Sequence, residues 1–552
     1  MPACNCGRLP GRYRFAGLPK SSWARCGDVS LAACSGPAGR YEPPEMNGQV
    51  YVIGPLKNLF DRKCMQLLTG PTLVSRRASS KFSLGAAVTI LASMVVALLL
   101  GLFAVFLPWP ILIPMVVAPV GLILAWIRPE IALVILVAAS FGVIPEYLLP
   151  RLPVGGGTIR VEDVGVLVMI GIVLLRNGGG IRRAMKPIES YYWPIGAFIL
   201  AAIVSAALAV GLHGVEQKNT FQELRPFVYW LWLPALCLAI RTEVQMRRFL
   251  FGIATVAVVT AGLLMFQSFT GYSVMTKGQA IRDLYTAGDH FRGVLRSTSP
   301  ASFIILAVLM FLLSSFAYAP GSVRGPLLAT LFLVLAGGIL VGFGRGVWFS
   351  ALLGVLLLGY FVRTSRYFGV VCFLVISAAS GIALLSMVKP DYVSAAYDRV
   401  FSVGNELDYG KSFDRRRAEN IAAVNAILDS PLLGVGLGKD YMPINSETTS
   451  WESGTRYIHN TYIGTLLKLG PFGLIALLWL VAVTITRLWS VTRRCSSALP
   501  IHFSALWAAL AMMIFTAITQ PNLLATPGVL TVCLAIFVSE WFRSRESAIN
   551  ER

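Results

Sequence analysis

Three short clusters hold the residues best suited to chemistry. They are Phe291-Arg292-Gly293-Val294-Leu295-Arg296, closed by Pro300; Gly344-Arg345-Gly346-Val347-Trp348; and Arg456-Tyr457-Ile458-His459-Asn460-Thr461. A guanidinium group binds phosphate through paired hydrogen bonds, which makes Arg292, Arg296 and Arg345 candidate anion ligands. Arg345 is the most informative, because an arginine between two long apolar stretches is costly beside hydrocarbon and turns to a cavity or a partner. Its glycine neighbours permit a tight turn or the close approach of a ligand. The plainer alternative is an interfacial arginine snorkelling to lipid headgroups. For Arg292 and Arg296 the alternative is a solvated loop with Asp283 and Asp289 as local partners.

His459 is one of four histidines, and an ordinary imidazole can accept a proton near neutral pH. It is a candidate general base, set against a purely hydrogen-bonded structural role. Asn460 either orients it or caps the helix that follows. His213, His290 and His502 have no supporting cluster. Gly434-Val435-Gly436-Leu437-Gly438 has the glycine density of a phosphate loop but follows a helix and lacks the Lys-Ser/Thr, so it reads as a turn. The nine cysteines are scattered, apart from Cys4 and Cys6, and match no zinc spacing. With no nucleotide signature and no carboxylate cluster, neither a metal site nor a cofactor is expected.

These residues must be carried by membrane helices. Of 552 residues 56% are hydrophobic and 13% charged, against about 25% charged in soluble domains. Apolar stretches occupy 82–107, 111–127, 131–149, 160–175, 191–211, 226–240, 248–270, 300–318, 325–343, 346–362, 367–388, 461–486, 501–520 and 526–542. Several fall short of the roughly 20 residues of a straight span. The expectation is an all-α polytopic transmembrane helix bundle of about 12–14 spans.

The formal charge of +20 then acquires a meaning other than nucleic-acid binding. If the chain starts in the cytoplasm and alternates, nearly all the basic excess falls to the cytoplasmic loops, as orientation by positive charge requires. Both termini are then cytoplasmic, and the three clusters share the opposite, nearly neutral face. No nucleic-acid partner is expected.

Residues 1–81 form a polar cytoplasmic segment without a signal-peptide core, and Met46 offers an alternative start. Residues 82–270 form the N-terminal membrane helices, 271–486 the region with the three clusters, and 487–552 the C-terminal helices and tail. The outer loops 271–299 and 389–460 are longer than a simple connection needs. In the second, Phe413, Ile421, Val424 and Leu428 have helical spacing, with Ser412 or Asp414 as a cap and Pro431 as a stop. A helix lying along the membrane surface is expected there.

The order of these elements resembles the O-antigen ligase/polymerase family of bacterial inner-membrane glycosyltransferases. The resemblance runs from about Phe291 to Leu480. It comprises Arg292-Gly293 with Pro300, Gly344-Arg345-Gly346-Val347-Trp348, and a long loop with Arg417-Ala418-Glu419-Asn420 and Ser430-Pro431-Leu432-Leu433-Gly434-Val435-Gly436-Leu437-Gly438. His459-Asn460-Thr461-Tyr462 and Gly470-Pro471-Phe472-Gly473 complete it. Gly344 stands where members often have serine.

The resemblance implies a multi-pass protein of the bacterial inner membrane that transfers glycan without a metal. The donor is an undecaprenyl-diphosphate-linked glycan, and the acceptor a hydroxyl of lipid A-core or of another glycan. By the same resemblance Arg292, with Arg296 as contender, and Arg345 are expected to bind the diphosphate, and His459 to activate the acceptor. Ligase, polymerase and protein O-glycosylation share this donor chemistry, with ligase preferred. A transporter or flippase is the competing class, and would favour ionisable residues at mid-span. Here Lys468 falls inside an expected span, while the other notable charges gather at one face.

Overall fold

The computed structural model describes residues 109–550, apart from 146–148, 150, 155–156, 178–179, 276–280, 285–292, 298, 300, 319–324, 363–364, 402–410, 443–454 and 495–500. All of them fall within the second of two units, Gly54–Arg552, into which the chain divides. The first expected span, 82–107, and the polar segment 1–81 lie outside the described residues, as do Arg292 and His290.

Helices dominate. In chain order they are α1 (Trp109–Ile127), α2 (Pro129–Ser140), α3 (Val161–Asn177), α4 (Ile181–Met185), α5 (Tyr192–Gly211), α6 (Gln217–Val228), α7 (Trp232–Ala239) and α8 (Glu243–Thr270). There follow α9 (Ser302–Tyr318), α10 (Gly325–Leu340), α11 (Arg345–Val362), α12 (Ser365–Val388), α13 (Pro390–Phe401), α14 (Lys411–Asp429), α15 (Thr461–Arg494), α16 (Ile501–Thr519) and α17 (Thr526–Asn550). Two short antiparallel pairs interrupt them: β1 (Arg151–Val154) with β2 (Gly157–Arg160), and β3 (Ile281–Asp283) with β4 (Leu295–Ser297).

Among the described residues five helices are long and apolar enough to cross a membrane: Ile181–Gly211, Glu243–Thr270, Arg345–Val362, Ser365–Val388 and Thr461–Ser490. Five shorter apolar helices pack among them. The chain is an all-α polytopic membrane protein. In hydrocarbon only a helix satisfies its own backbone polar groups, which is why long apolar runs take this form.

The structure departs from the expected elements at four places. The stretch 131–149 is helical only to Ser140, because the chain then turns at Gly142 (φ 76°) towards the β1–β2 hairpin. The stretch 226–240 is divided between the end of α6, a tight turn at Tyr229–Leu231, and α7. Within the long loop a second helix, α13, precedes the expected one. Ser412 and Asp414 lie inside α14, which begins at Lys411, and so do not cap it.

The interior is aromatic and aliphatic, with Tyr191, Tyr229, Trp230 and Trp232 fully buried. Phe198 on α5 meets Phe227 at 5.1 Å and Trp230 edge-on at 6.3 Å. Short polar links join helices inside the bundle, such as the 3.0 Å contact of Ser314 and Ser504 hydroxyls between α9 and α16. At the end of the bundle away from His459, buried Glu540 on α17 pairs with Arg543 at 2.6 Å, and Arg487 on α15 donates to Ser190 at 2.8 Å.

Candidate functional site

The His459 imidazole stands just ahead of α15. Asn460 Oδ1 accepts from the amides of Tyr462 at 2.9 Å and Ile463 at 3.0 Å, so Asn460 is the N-cap of α15 and its amide oxygen is not the group that orients His459. That task falls to Glu419. Its Oε2 lies 2.7 Å from His459 Nδ1, and Glu419 is buried while His459 is partly accessible. A carboxylate only accepts hydrogen bonds, so Nδ1 carries the proton and the Nε2 lone pair is left as the basic site. The Tyr457 ring stands edge-on to the imidazole at 4.8 Å and restricts its rotation.

Glu419 reaches His459 because α14 descends beside the first turns of α15. Ala423, one turn after Glu419, packs with Ile458, Leu467 and Val435 in a small core directly under the pair. The expected apolar face of α14 points the other way: Ile421, Val424 and Leu428 are exposed, as are Leu432 and Leu433 beyond the helix. The helix therefore buries Ala423 and one carboxylate, packs Ile427 partly against the same small core, and leaves Ile421, Val424 and Leu428 on the outer surface.

The second cluster surrounds the turn between α10 and α11. Arg345 is the first residue of α11 and is half-buried. Phe343, just before it, is a buried aromatic residue at φ 46°, a conformation costing about 1–3 kcal/mol for a non-glycine residue. Side chains from two other elements hold this turn. Arg296 on β4 donates through Nε to the Gly342 carbonyl at 3.2 Å, and Arg399 on α13 donates through Nη1 to the Phe343 carbonyl at 2.7 Å. Phe343 packs against Trp348 and Tyr392, and the Tyr392 hydroxyl donates to the Ser268 carbonyl at 2.6 Å. Arg296, Arg345 and Arg399 thus gather at one helix N-terminus, where the backbone dipole adds to their attraction for anions.

The end of α16 connects the two clusters. A Cβ placed on Gly346 would lie 3.0 Å from Thr519 Oγ1. The next residue, Gln520, accepts at its carbonyl from the Thr461 hydroxyl at 2.9 Å. Arg345 and His459 therefore stand at the heads of α11 and α15, on the same end of the bundle, with residues 519–520 between them. The structure brings together Arg296, Arg345 and His459 of the expected site at this end; Arg292 lies outside the described residues.

The glycine-rich segment is a turn, as expected, and its amides serve the protein itself. Gly434, Gly436 and Gly438 all have positive φ. Val435 donates to the Leu467 carbonyl at 2.8 Å, Leu437 to Ser205 Oγ at 3.1 Å and Gly438 to Glu223 Oε2 at 2.6 Å. Among the other histidines, His213 Nδ1 lies 3.4 Å from Lys439 Nζ, and partial burial followed by that charge lowers its pKa. Among the described residues no group of three or more His, Cys, Asp or Glu side chains is placed to hold a metal ion.

Sequence reasoning missed Glu419 and Arg399 as members of the site. Glu419 did leave a signal, since it falls within Arg417-Ala418-Glu419-Asn420, away from the face of Ile421, Val424 and Leu428. Arg399 left none, because the folding of α13 against the α10–α11 turn is a long-range contact.

Residues 327–478 match the profile of the Wzy_C O-antigen ligase family, a segment that contains Arg345, Arg399, Glu419, His459 and Lys468. No curated protein matches the chain. The chain is thus an all-helical membrane protein in which residues 327–478, the segment carrying most of the site, are similar to the O-antigen ligase family.

Proposed function

We propose that this chain is a metal-independent ligase of the bacterial inner membrane that moves a glycan from an undecaprenyl-diphosphate carrier to an acceptor hydroxyl on the periplasmic face. The O-antigen ligase domain supports ligase- or polymerase-type glycan transfer in general. The donor, the acceptor lipid A-core and the cytoplasmic placement of both termini belong to the proposal.

In this reading Arg345, with Arg296 and Arg292 from the preceding loop, holds the donor diphosphate and offsets the negative charge that grows as it leaves. His459 Nε2 removes the proton of the acceptor hydroxyl while that oxygen bonds to the anomeric carbon and the carbon–oxygen bond to the diphosphate breaks. The proton leaves the imidazole to solvent or to the departing diphosphate. Glu419 holds the ring in the required tautomer and stabilises the imidazolium formed.

One observation carries the proposal: the 2.7 Å contact of a buried carboxylate with His459 Nδ1, at the bundle end that also gathers the arginines. The test is the glycan phenotype of a strain lacking the protein. Complete chains accumulating on the lipid carrier, with none on lipid A-core, are the expected result. Single repeats on the carrier would replace the ligase by a polymerase, and normal surface glycan would contradict both.

A further inference from the structure

Helix α15 is broken ten residues from its start. Gly470 has φ 68° and ψ −173°, and Pro471 follows it. Pro471 has no N–H to offer the Leu467 carbonyl, four residues earlier, and the left-handed Gly470 interrupts the ladder for the Lys468 carbonyl as well. Both carbonyls lie within a buried stretch, where an unmade hydrogen bond costs about 1–3 kcal/mol. Each has found another donor. The Val435 amide of the glycine-rich turn takes Leu467 at 2.8 Å, and the Ser205 hydroxyl of α5 takes Lys468 at 2.7 Å.

The Lys468 side chain completes this junction. It is buried at 6% exposure, and its ammonium group contacts both carboxylate oxygens of Glu223 on α6 at 2.5 Å. Glu223 Oε2 also accepts the Gly438 amide, so one ion pair fastens α15, α6 and the far end of the turn. The three glycines are required for this docking. A Cβ at Gly434 would stand 2.6 Å from the Leu467 carbonyl oxygen, at Gly436 2.8 Å from Ala209 Cβ, and at Gly438 2.6 Å from the Thr220 amide nitrogen.

The turn fixed in this way leads directly to the reactive histidine. Val435 packs on Ala423, Ile458 and Leu467, which lie under the Glu419–His459 contact. Further along, Asp440 contacts Thr455 and Arg456, and the Tyr441 hydroxyl donates to the Tyr457 carbonyl at 2.8 Å. Residues 455–460, which include His459, are therefore clipped to residues 440–442 immediately beyond the glycine turn.

We infer that Lys468 and Glu223 are a positioning pair that fixes the glycine-rich turn and, through it, the alignment of His459 with Glu419. The ion pair lies by the break in the helix that follows the base, and a shift of the turn would pass into Ile458 and Ala423. It acts through His459 and touches neither donor nor acceptor. The inference rests on the proposed glycan transfer, and it assigns the pair to the acceptor-activating side of that reaction.

The test uses the full-length protein in membranes, with Lys468→Met and the milder Glu223→Gln, which keeps an acceptor for Gly438. The expected result is a loss of turnover of about tenfold or more with donor KM within about twofold of the parent. In a Glu419→Gln background the additional loss should shrink to less than about threefold, since residues acting as one unit are non-additive. Parental turnover in both variants at equal membrane abundance overturns the inference. So does a fully additive loss with raised donor KM, which would place the pair on the donor side. Failure of Lys468→Met to accumulate leaves Glu223→Gln to decide by the same two readouts. Absence of transfer by the parent protein itself would instead refute the glycan-transfer reading.

Discussion

Glu419 and His459, forty residues apart, meet at 2.7 Å between Oε2 and Nδ1, and the buried carboxylate comes from a helix that leaves Ile421, Val424 and Leu428 exposed. The contact orients the His459 imidazole, and under the proposed function it makes the ring a base of fixed tautomer. Glu419→Gln retains the size of the side chain but removes the charge and permits the wrong tautomer. Transfer is expected to fall about 10²-fold, within the range for loss of general-base catalysis, with membrane abundance unchanged. Turnover of the purified variant, set against its quantity in the membrane, checks this.

Arg345 is expected to act through two-point recognition of a diphosphate. Arg345→Ala should reduce transfer by at least about 10²-fold, and Arg345→Lys should recover only a small part of it, because an ammonium group lacks the planar fork. Donor KM and kcat measured for both variants decide the matter; full activity in the lysine variant would reduce the role to charge alone.

Arg399 supports the turn from below by donating to the Phe343 carbonyl at 2.7 Å. Its loss leaves that carbonyl without this donor beside a residue at φ 46°. Arg399→Ala is expected to raise donor KM about tenfold by letting the turn relax, an effect of about 1.4 kcal/mol. Donor titration of the variant gives the value directly.

Gly438→Ala tests the packing of the glycine-rich turn. The backbone has φ 82°, and the added Cβ would meet the Thr220 amide nitrogen at 2.6 Å. The left-handed conformation alone costs about 1–3 kcal/mol, and the backbone contact adds to it. A lower unfolding temperature in detergent is expected, together with reduced transfer.

The sequence made most of the bundle legible. Its apolar runs map onto α1, α3, α5, α8–α12 and α15–α17 because burial in lipid demands helix and the runs leave little choice. It failed where the outcome depends on partners. The stretch 226–240 has the composition of one span, yet it is divided around the buried Tyr229 and Trp230, the latter edge-on to Phe198 of α5. The apolar spacing of α14 marked the helix correctly, but nothing in that spacing says which side is covered. Ala423 and Glu419 are buried because α15 lies against them, and so the partner of His459 was hidden on the polar side of the pattern. His459, Arg296 and Arg345 were visible as unusual residues at apolar boundaries. Their common face followed from the alternation of spans, but the link between them did not, since it is set by Thr519 and Gln520, far away in the chain.

The most direct test of the account is glycan transfer by the purified protein in liposomes containing an undecaprenyl-diphosphate-linked glycan and a lipid A-core acceptor. Glycan is expected to appear on lipid A-core together with free undecaprenyl diphosphate for the parent protein. His459→Ala should form neither product above the uncatalysed background while retaining its helical content and membrane insertion. Transfer at the parental rate by His459→Ala would contradict the assignment of the base, and with it the central claim.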